Sequence, residues 1–512
     1  MANMNQTRVD CNPERMDQAL NDLKGDVAMA AAQGFAAHEV EADIWRRVLR
    51  LGHQAMGLLF QLVGTGEVGE STVWPDGREV RRLEGRHARA YQSVFGYFEV
   101  ERSVYGSREG QKIEYVPVDT PLQLPESEFS YLLQDWTPGL AVEHADRHVP
   151  ETLGRILDVK PTVDRVERMN QKRAQSVRGF RPSRPAPEPE CEGALGGVSA
   201  DGKGVAIRRH APDVPIAAHD RDPKPKTNRK KMAVVGAVYT LDPFVRTPEE
   251  SVDSRFRDRG DEPLSIKRPE PQHKRLWASL PQDQDGELIS ATDETFAWLA
   301  EEVARRNPAS QKPTVFLMDG QKSLWEAGQR DLPPDDRIEM LDLLHATPRI
   351  WEAAALFYDR DSEQAWAFVY DRVRRILRGE VRSGVWGLRQ MGTKRKLRGK
   401  KREKLAKICG YLQNHAPRMR DDAYLAAGYP IASGGIEGAC RHFVKDRLER
   451  SGMRWTLESA QAMLDVRSTY VNGDWDAFMA YRIEKETQRL YPHRALVEPI
   501  DMPEKSEMPI AA

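Results

Sequence analysis

Apolar positions recur at intervals of three and four over residues 1 to about 65, with Ile44, Val48 and Leu51 on one line, which predicts helix. The segment QSVFGYFEVERSVYG, about 92–105, alternates loosely at Val94, Phe98, Val100 and Val104 around Gly96 and predicts two strands. Residues 151–174 return to helical spacing. Leu153, Ile156 and Leu157 share one face, Asp158 to Pro161 break it, and Thr162 can cap a second helix with Val163, Val166 and Met169 inward. This helix–turn–helix pattern would set Arg165, Arg168, Lys172 and Arg173 outward for phosphates or base edges, although two ordinary packed helices give the same pattern. The run RGFRPSRPAPEPECE, 178–192, has four prolines and few apolar side chains and predicts an extended linker.

Beyond it the pattern becomes that of a sheet with helices. VSADGKGVAIRR (198–209) reads as a strand, and MAVVGAVYTLDPFV (232–245) as a buried strand. Residues 249–275, charged and proline-containing, read as a surface insertion. ATDETFAWLAEEVARR (291–306) predicts a helix, TVFLMDG (314–320) a strand, QKSLWEAGQR a helix, and IEMLDLLHA (338–346) another strand. Residues 347 to about 428 read as helical throughout, a last helix begins near Ser433, and residues from about 490 read as a loose tail.

Three carboxylates stand at the ends of these elements: Asp201 on the first strand, Asp319 closing a later one, and Glu437 one turn into the last helix behind Ser433 as N-cap. The intervals 319 − 201 and 437 − 319 are both 118, an equality of no significance; the order strand, strand, helix is what matters. Converging carboxylates suit phosphodiester chemistry. Two Mg²⁺ ions roughly 4 Å apart can activate the attacking oxygen and stabilise the leaving one, and Mg²⁺ takes oxygen ligands. Singly, an Asp before Gly at a strand end is more often a turn or cap residue. Asp342 competes with Asp319 as the second ligand. On a strand, Asp342 and His345 would point to opposite faces, leaving His345 either beside the site or as a satisfied core histidine.

Length, 512 residues, suggests about three units. No stretch of about 20 apolar residues spans a membrane, and the N-terminus lacks a secretory pattern. Cys11, Cys191, Cys409 and Cys440 form no CxxC pair, as expected of reduced thiols in a cytoplasmic protein. Net charge is −1, so a globally basic signature is absent. The charge is nevertheless blocky: residues 372–407 carry fifteen Lys or Arg against Glu380 and Glu403, while 281–302 carry seven acids and no base. Arg441 and Lys445 follow Glu437 at i+4 and i+8, either a solvated stripe or a phosphate-gripping face.

The segments VSADGKGVAIRR, VFLMDGQKSLWEA, MLDLLHATPRIWEAA and IASGGIEGACRHFVKDRLERSGMRW resemble those of ISKra-type insertion-sequence transposases, within the wider class of DDE transposases. The resemblance runs from about residue 90 to 470 and is strongest in the last segment. It implies a mixed α/β fold: an RNase H-like core with a mixed five-stranded sheet, a mainly helical DNA-binding region before it, and an all-helical insertion before the last catalytic helix. The implied organisation is 1–177 for DNA binding, 178–194 linker, 195–346 first part of the core, 347–430 insertion, 431–489 Glu-bearing and C-terminal helices, and 490–512 tail. It implies Asp201, Asp319 and Glu437 as ligands of Mg²⁺, for which Mn²⁺ can substitute, with His345 beside them. Arg395, Lys396, Arg398, Lys400, Lys401 and Arg402 in the insertion would grip DNA, as would Arg441 and Lys445. The implied partners are transposon ends, target DNA and further copies of the chain as a homodimer or higher oligomer, in a cytoplasmic, DNA-associated setting. Two departures bear on activity: Gly435 stands where a bulkier aliphatic residue is expected, and Asp421 and Asp422 where an aromatic is expected. A same-core nuclease that cuts without joining, and a non-catalytic repressor derived from a transposase, are the alternative readings.

Overall fold

Five strands between residues 195 and 341 pair into one mixed sheet. The computed structural model describes residues 13–73, 77–85, 87–107, 113–208, 230–256, 268–284, 287–308, 310–332, 337–450, 453–492 and 494. The chain divides into two compact units, residues 1–172 with 476–512, and residues 173–475.

The first unit opens with the long helices α1 (Pro13–Gln33) and α2 (Ala37–Val63). Their helical spacing is as expected, yet α2 buries no residue and leaves Trp45, Val48, Leu59 and Leu62 exposed. A β-hairpin follows, β1 (His87–Ser93) and β2 (Gly96–Arg102), with Phe98 and Val100 inward. Then come α3 (Tyr131–Glu143), α4 (His148–Leu157) and the first part of α5 (Val163–Ser183), whose residues from Arg173 belong to the second unit. Thr162 caps α5 by accepting from the Arg165 N–H at 3.3 Å, as its sequence position suggests. Two inward assignments need correction: Ile156 and Val163 are exposed, and the buried faces are Val149, Leu153 and Leu157 on α4 and Val166 and Met169 on α5. The expected linker is also helical in its first part. Arg173, expected to face outward, is buried instead: it belongs to the inward series Val166, Asn170, Arg173, Val177 and Phe180, which keeps helical spacing, and α5 continues through 178–183 on the strength of that buried face.

In the second unit the sheet runs β3 (Leu195–Ala206), β4 (Lys230–Leu241), β5 (Gln272–Ser279), β6 (Thr314–Met318) and β7 (Arg337–Leu341), ordered β7-β6-β3-β4-β5. The β3–β4 and β4–β5 pairs are antiparallel, whereas β3–β6 and β6–β7 are parallel. β5 lies partly in the stretch expected to be a surface insertion; its second half, Leu276–Ser279, is buried. The same stretch contains the short helix α6 (Pro248–Arg255), closed by a capping box between Thr247 and Glu250.

Each face of the sheet packs on helices. Val198, Ala200, Phe316 and Met318 form one core with α7 (Ala291–Arg306) and α8 (Lys322–Asp331) through Phe296, Leu299 and Leu324. Val315 and Leu317 point the other way, into a core with α9 (Leu343–Ala354), α10 (Glu363–Leu377), α11 (Val381–Lys394), α12 (Gly399–His415) and α13 (Asp421–Ala426). Side-chain alternation decides which core each residue joins. The helical stretch expected after 347 is therefore present as a packed layer on the sheet.

The strand expected over 338–346 ends at Leu341. Asp342 caps α9 by accepting from the Leu344 N–H at 2.8 Å, which starts a helix where the apolar run suggested continued strand. His345 consequently lies in the first turn of α9, and the opposite-face argument for Asp342 and His345 does not apply. The last helix is likewise shorter than expected. α14 (Gly434–Ala439) passes into a π-helical turn at Cys440–Lys445, and α15 (Leu457–Val471) and α16 (Trp475–Leu490) complete the described helices used below. Arg467 donates to the carbonyls of His442 at 2.8 Å and Phe443 at 3.0 Å, satisfying groups at the π turn. Among the described residues Cys191, Cys409 and Cys440 form no disulfide, and no described helix is long and apolar enough to cross a membrane.

Candidate active site

The register between two strands brings the first two candidate acids together. Parallel pairing matches Gly196 with Thr314 and Val198 with Phe316, an offset of 118 residues (314 − 196). Asp201 and Asp319 are separated by the same 118 (319 − 201), so both stand three residues beyond the last pair, at the same level of adjacent strands. Alternation puts them on one face. Ala200 and Met318 enter the α7–α8 core, so Asp201 and Asp319 turn toward the helical layer.

Both aspartates are half-buried. Burial pushes the Asp319 carboxyl above its ordinary value; the Gln321 N–H opposes this, the charge of Asp201 adds to it, and His345 pulls it back. The Gln321 N–H donates to Asp319 Oδ1 at 2.8 Å, and the Trp325 indole N–H donates to the Asp319 carbonyl at 2.7 Å, fixing the turn that carries the carboxylate. Asp201 Oδ1 accepts from the Gly202 N–H at 2.7 Å. The charge of Asp201 beside Asp319 is one that a divalent cation would relieve, and the hard oxygen donors of the two carboxylates suit Mg²⁺. Among the described residues no group of three or more His, Cys, Asp or Glu could hold a metal. The backbone of Glu437 lies in α14, one turn from its start, but its side chain lies outside the described residues.

Asp342 has a different environment. It is fully buried, and its oxygens accept from the Leu344 N–H, the Ser433 N–H at 3.2 Å and the Ser433 hydroxyl. Its main-chain N–H donates to the Met318 carbonyl at 2.9 Å, and Leu343 donates to Ile431 at 3.0 Å. The carboxylate thus ties the end of β7 and the start of α9 to the segment leading into α14. Burial pushes its pKa up, against the pull of these hydrogen bonds.

Sequence reasoning missed the contribution of α12. The Tyr411 ring lies against Gly320, the residue after Asp319; a Cβ there would meet Tyr411 Cε2 at 2.3 Å. Arg349 stacks over the same ring at 5.3 Å. Burial, with the charge of Asp319 next, pushes the Tyr411 phenol up to about 12. His415, one turn on, packs on Tyr411 at 4.8 Å and hydrogen-bonds the main chain of Gly320. Tyr411 and His415 stand at i, i+4 in a strongly charged helix, a spacing that by itself carried no signal of this contact.

At the other end of α12, Arg395, Lys396, Arg398, Lys400, Lys401 and Arg402 are all exposed. The first turn of the helix has no acid, so three cations join the positive end of the helix dipole, an arrangement that opposes helix stability and attracts anions. Seventeen residues at 1.5 Å each put this tip about 25 Å along the helix from its end beside Asp319. Arg441 and Lys445 are also exposed, although the π turn alters their spacing behind Glu437. In the other unit Arg168 is exposed, Arg165 pairs with Glu128 at 3.1 Å, and Lys172 pairs with Glu126 at 2.6 Å. Exposed pairs of this kind are worth little.

Among protein-family models and curated proteins, no match to this chain is found.

Proposed function

We propose that this chain is a metal-dependent DNA transposase of the DDE class, with Asp201, Asp319 and Glu437 as metal ligands. The observation that carries the reading is the shared level of Asp201 and Asp319 on adjacent parallel strands, half-buried and facing the same way. The strand order β7-β6-β3-β4-β5, with the first three strands antiparallel and the last two parallel to the first, supports an RNase H-like core. Glu437 enters the triad through its position in α14, after the segment that Asp342 anchors beside the sheet.

Bound Mg²⁺ would supply the positive charge that activates an attacking oxygen and stabilises the departing one. The chain's own groups do the rest. Asp201 and Asp319 hold their carboxylates level, Gln321 and Trp325 fix the Asp319 turn, and His345 lies close enough to act on its charge. Asp342 serves as a structural anchor, which leaves Asp319 as the second ligand. In the first step a water oxygen bonds to phosphorus at the element's end and the P–O3′ bond breaks, freeing a 3′-hydroxyl. That hydroxyl then attacks a target phosphodiester, forming one ester bond as another breaks. The basic tip of α12, with Arg441 and Lys445, binds the DNA backbone, and the α4–α5 pair binds the element's ends through Arg165, Arg168 and Lys172. Joining two ends calls for two copies of the chain, and the exposed apolar side chains of α2 offer a surface for that pairing.

The test uses labelled DNA carrying the ends of the encoding element together with a target plasmid, with Mg²⁺ or with EDTA. Nicked ends and joined products that need metal are expected. Nicking without joining would favour a nuclease, and binding alone, with Mn²⁺ also supplied, would favour a repressor.

A further inference from the structure

A cavity of about 500 Å³ opens between β4, α6, the start of α9 and the segment leading into α14. That volume lies within the range of small-molecule sites. Its described lining carries four cations, Arg246, Arg255, Arg268 and Lys274, and no carboxylate. Elsewhere in this unit arginines meet acids, as in Arg275 with Glu302 and Arg418 with Glu339. Among the described residues, Arg246, Arg268 and Lys274 instead meet neutral groups. Arg246 donates to the carbonyls of Phe244 at 2.6 Å and Tyr429 at 3.0 Å, Arg268 to the Ser254 hydroxyl at 2.8 Å, and Lys274 to the Gly435 carbonyl at 2.9 Å. Arg255 and Arg268 are exposed at the mouth, with Arg246 and Lys274 half-buried. Burial pushes the Lys274 ammonium down, and burial and then Arg268 push the Arg246 guanidinium down to about 10. Asp421 does act on Arg246, but burial pushes its own carboxyl up to about 8, so it carries little charge at neutral pH.

The remaining walls combine the flat side chains of Tyr239, Phe244, Pro269, Pro271 and Pro430 with aliphatic residues and the hydroxyls of Ser251, Ser254 and Ser433. Cations at the mouth beside aromatic and proline surfaces match a ligand with a phosphate at one end and a planar base at the other. We infer that this cavity binds one nucleoside monophosphate, either free or as a single nucleotide turned out of a DNA strand, with the phosphate on Arg255 and Arg268 and the base against Phe244 and Tyr239. The choice of a nucleotide over another phosphorylated molecule rests on the nucleic-acid reading of the neighbouring site. Lys274 holds Gly435 at the start of α14, so an occupant would press on the helix that carries Glu437.

The test titrates the full-length chain with deoxyadenosine 5′-monophosphate, deoxyadenosine and inorganic phosphate by calorimetry, and with a short single strand containing one 2-aminopurine by fluorescence. The same titrations use Arg255→Ser/Arg268→Ser and, as a control, Lys24→Ser/Lys485→Ser, which lie outside every proposed binding surface. Both pairs are exposed, so folding is retained in each. Binding of the monophosphate that weakens about tenfold or more in the cavity variant but not in the control supports a free nucleotide. A 2-aminopurine response lost only in the cavity variant, with no monophosphate binding, supports a nucleotide of a strand. Inorganic phosphate binding as tightly as the monophosphate, a response unchanged in the cavity variant, or no response from either nucleotide source overturns the inference. Metal-dependent cleavage is read in a separate assay, so loss of this site and loss of the transposase reading are distinguishable.

Discussion

The Asp342 carboxylate accepts both the main-chain N–H and the hydroxyl of Ser433, ninety-one positions away in the chain. One buried side chain thereby caps α9 and pins the approach to α14. Ser433→Ala removes the hydroxyl donor and leaves a buried carboxylate oxygen short of a partner, which costs about 1–3 kcal/mol. Asp342→Ala removes the helix cap as well and is expected to cost more. Urea unfolding of both variants checks the order; a Ser433→Ala variant as stable as the wild type would remove this anchor from the account.

Asp421 sets a pH dependence. It is buried, and burial pushes its carboxyl to about 8 in the folded chain, against an ordinary 3.8. Between those values the folded state holds a proton that the unfolded state has released. Its contribution to stability is therefore complete below about pH 4 and is lost as pH rises toward 8. Asp421→Asn keeps the shape without the charge, and is expected to flatten that slope and to stabilise the chain by several kcal/mol at pH 9. Thermal unfolding across pH 5–9 measures it; parallel curves for the two proteins would contradict the assignment.

Gly320 has no room for a side chain. A Cβ there would lie 2.3 Å from Tyr411 Cε2 and 2.5 Å from its hydroxyl oxygen. Gly320→Ala is expected to destabilise by about 1–3 kcal/mol. Adding Tyr411→Ala should recover part of the loss, whereas Tyr411→Phe, which keeps the ring, should not. A double-variant cycle by urea unfolding reads this coupling, and strict additivity would count against the contact.

Lys400, Lys401 and Arg402 begin a helix whose first turn has no acid. If each neutralises a phosphate, replacing all three with alanine should lower the salt slope of DNA binding by about 3, at ~0.9 per contact on duplex. Binding isotherms at several salt concentrations give the slope. An unchanged slope would move the DNA interface elsewhere.

Local patterns revealed most of the elements and little of their arrangement. The run TVFLM and the helix Ala291–Arg306 match their sequence signatures because one face or both are buried. The start of β5 was hidden by the charged, proline-containing stretch before it, and only Leu276 to Ser279 are buried. At Leu341–Leu344 an apolar run fits strand or helix equally well, and the Asp342 cap, which depends on Ser433 far along the chain, decides for helix. The π turn after Ala439 escapes helical periodicity altogether. For the candidate site, Asp201 and Asp319 were visible as residues, but the fact that brings them level is the β3–β6 register, which belongs to neither strand alone. Tyr411 and His415 reach Gly320 only because α12 packs on the sheet, a tertiary fact without a local signal.

The most direct test of the central claim compares wild type with Asp201→Asn, Asp319→Asn and Asp342→Asn on labelled element ends, reading DNA binding and Mg²⁺-dependent nicking in the same samples. The account predicts that all four folded proteins bind DNA, that Asp201→Asn and Asp319→Asn lose nicking by a thousandfold or more, on the order of 4 kcal/mol in barrier, and that Asp342→Asn, though less stable, still nicks. Nicking that survives in Asp319→Asn but vanishes in a folded Asp342→Asn would contradict it.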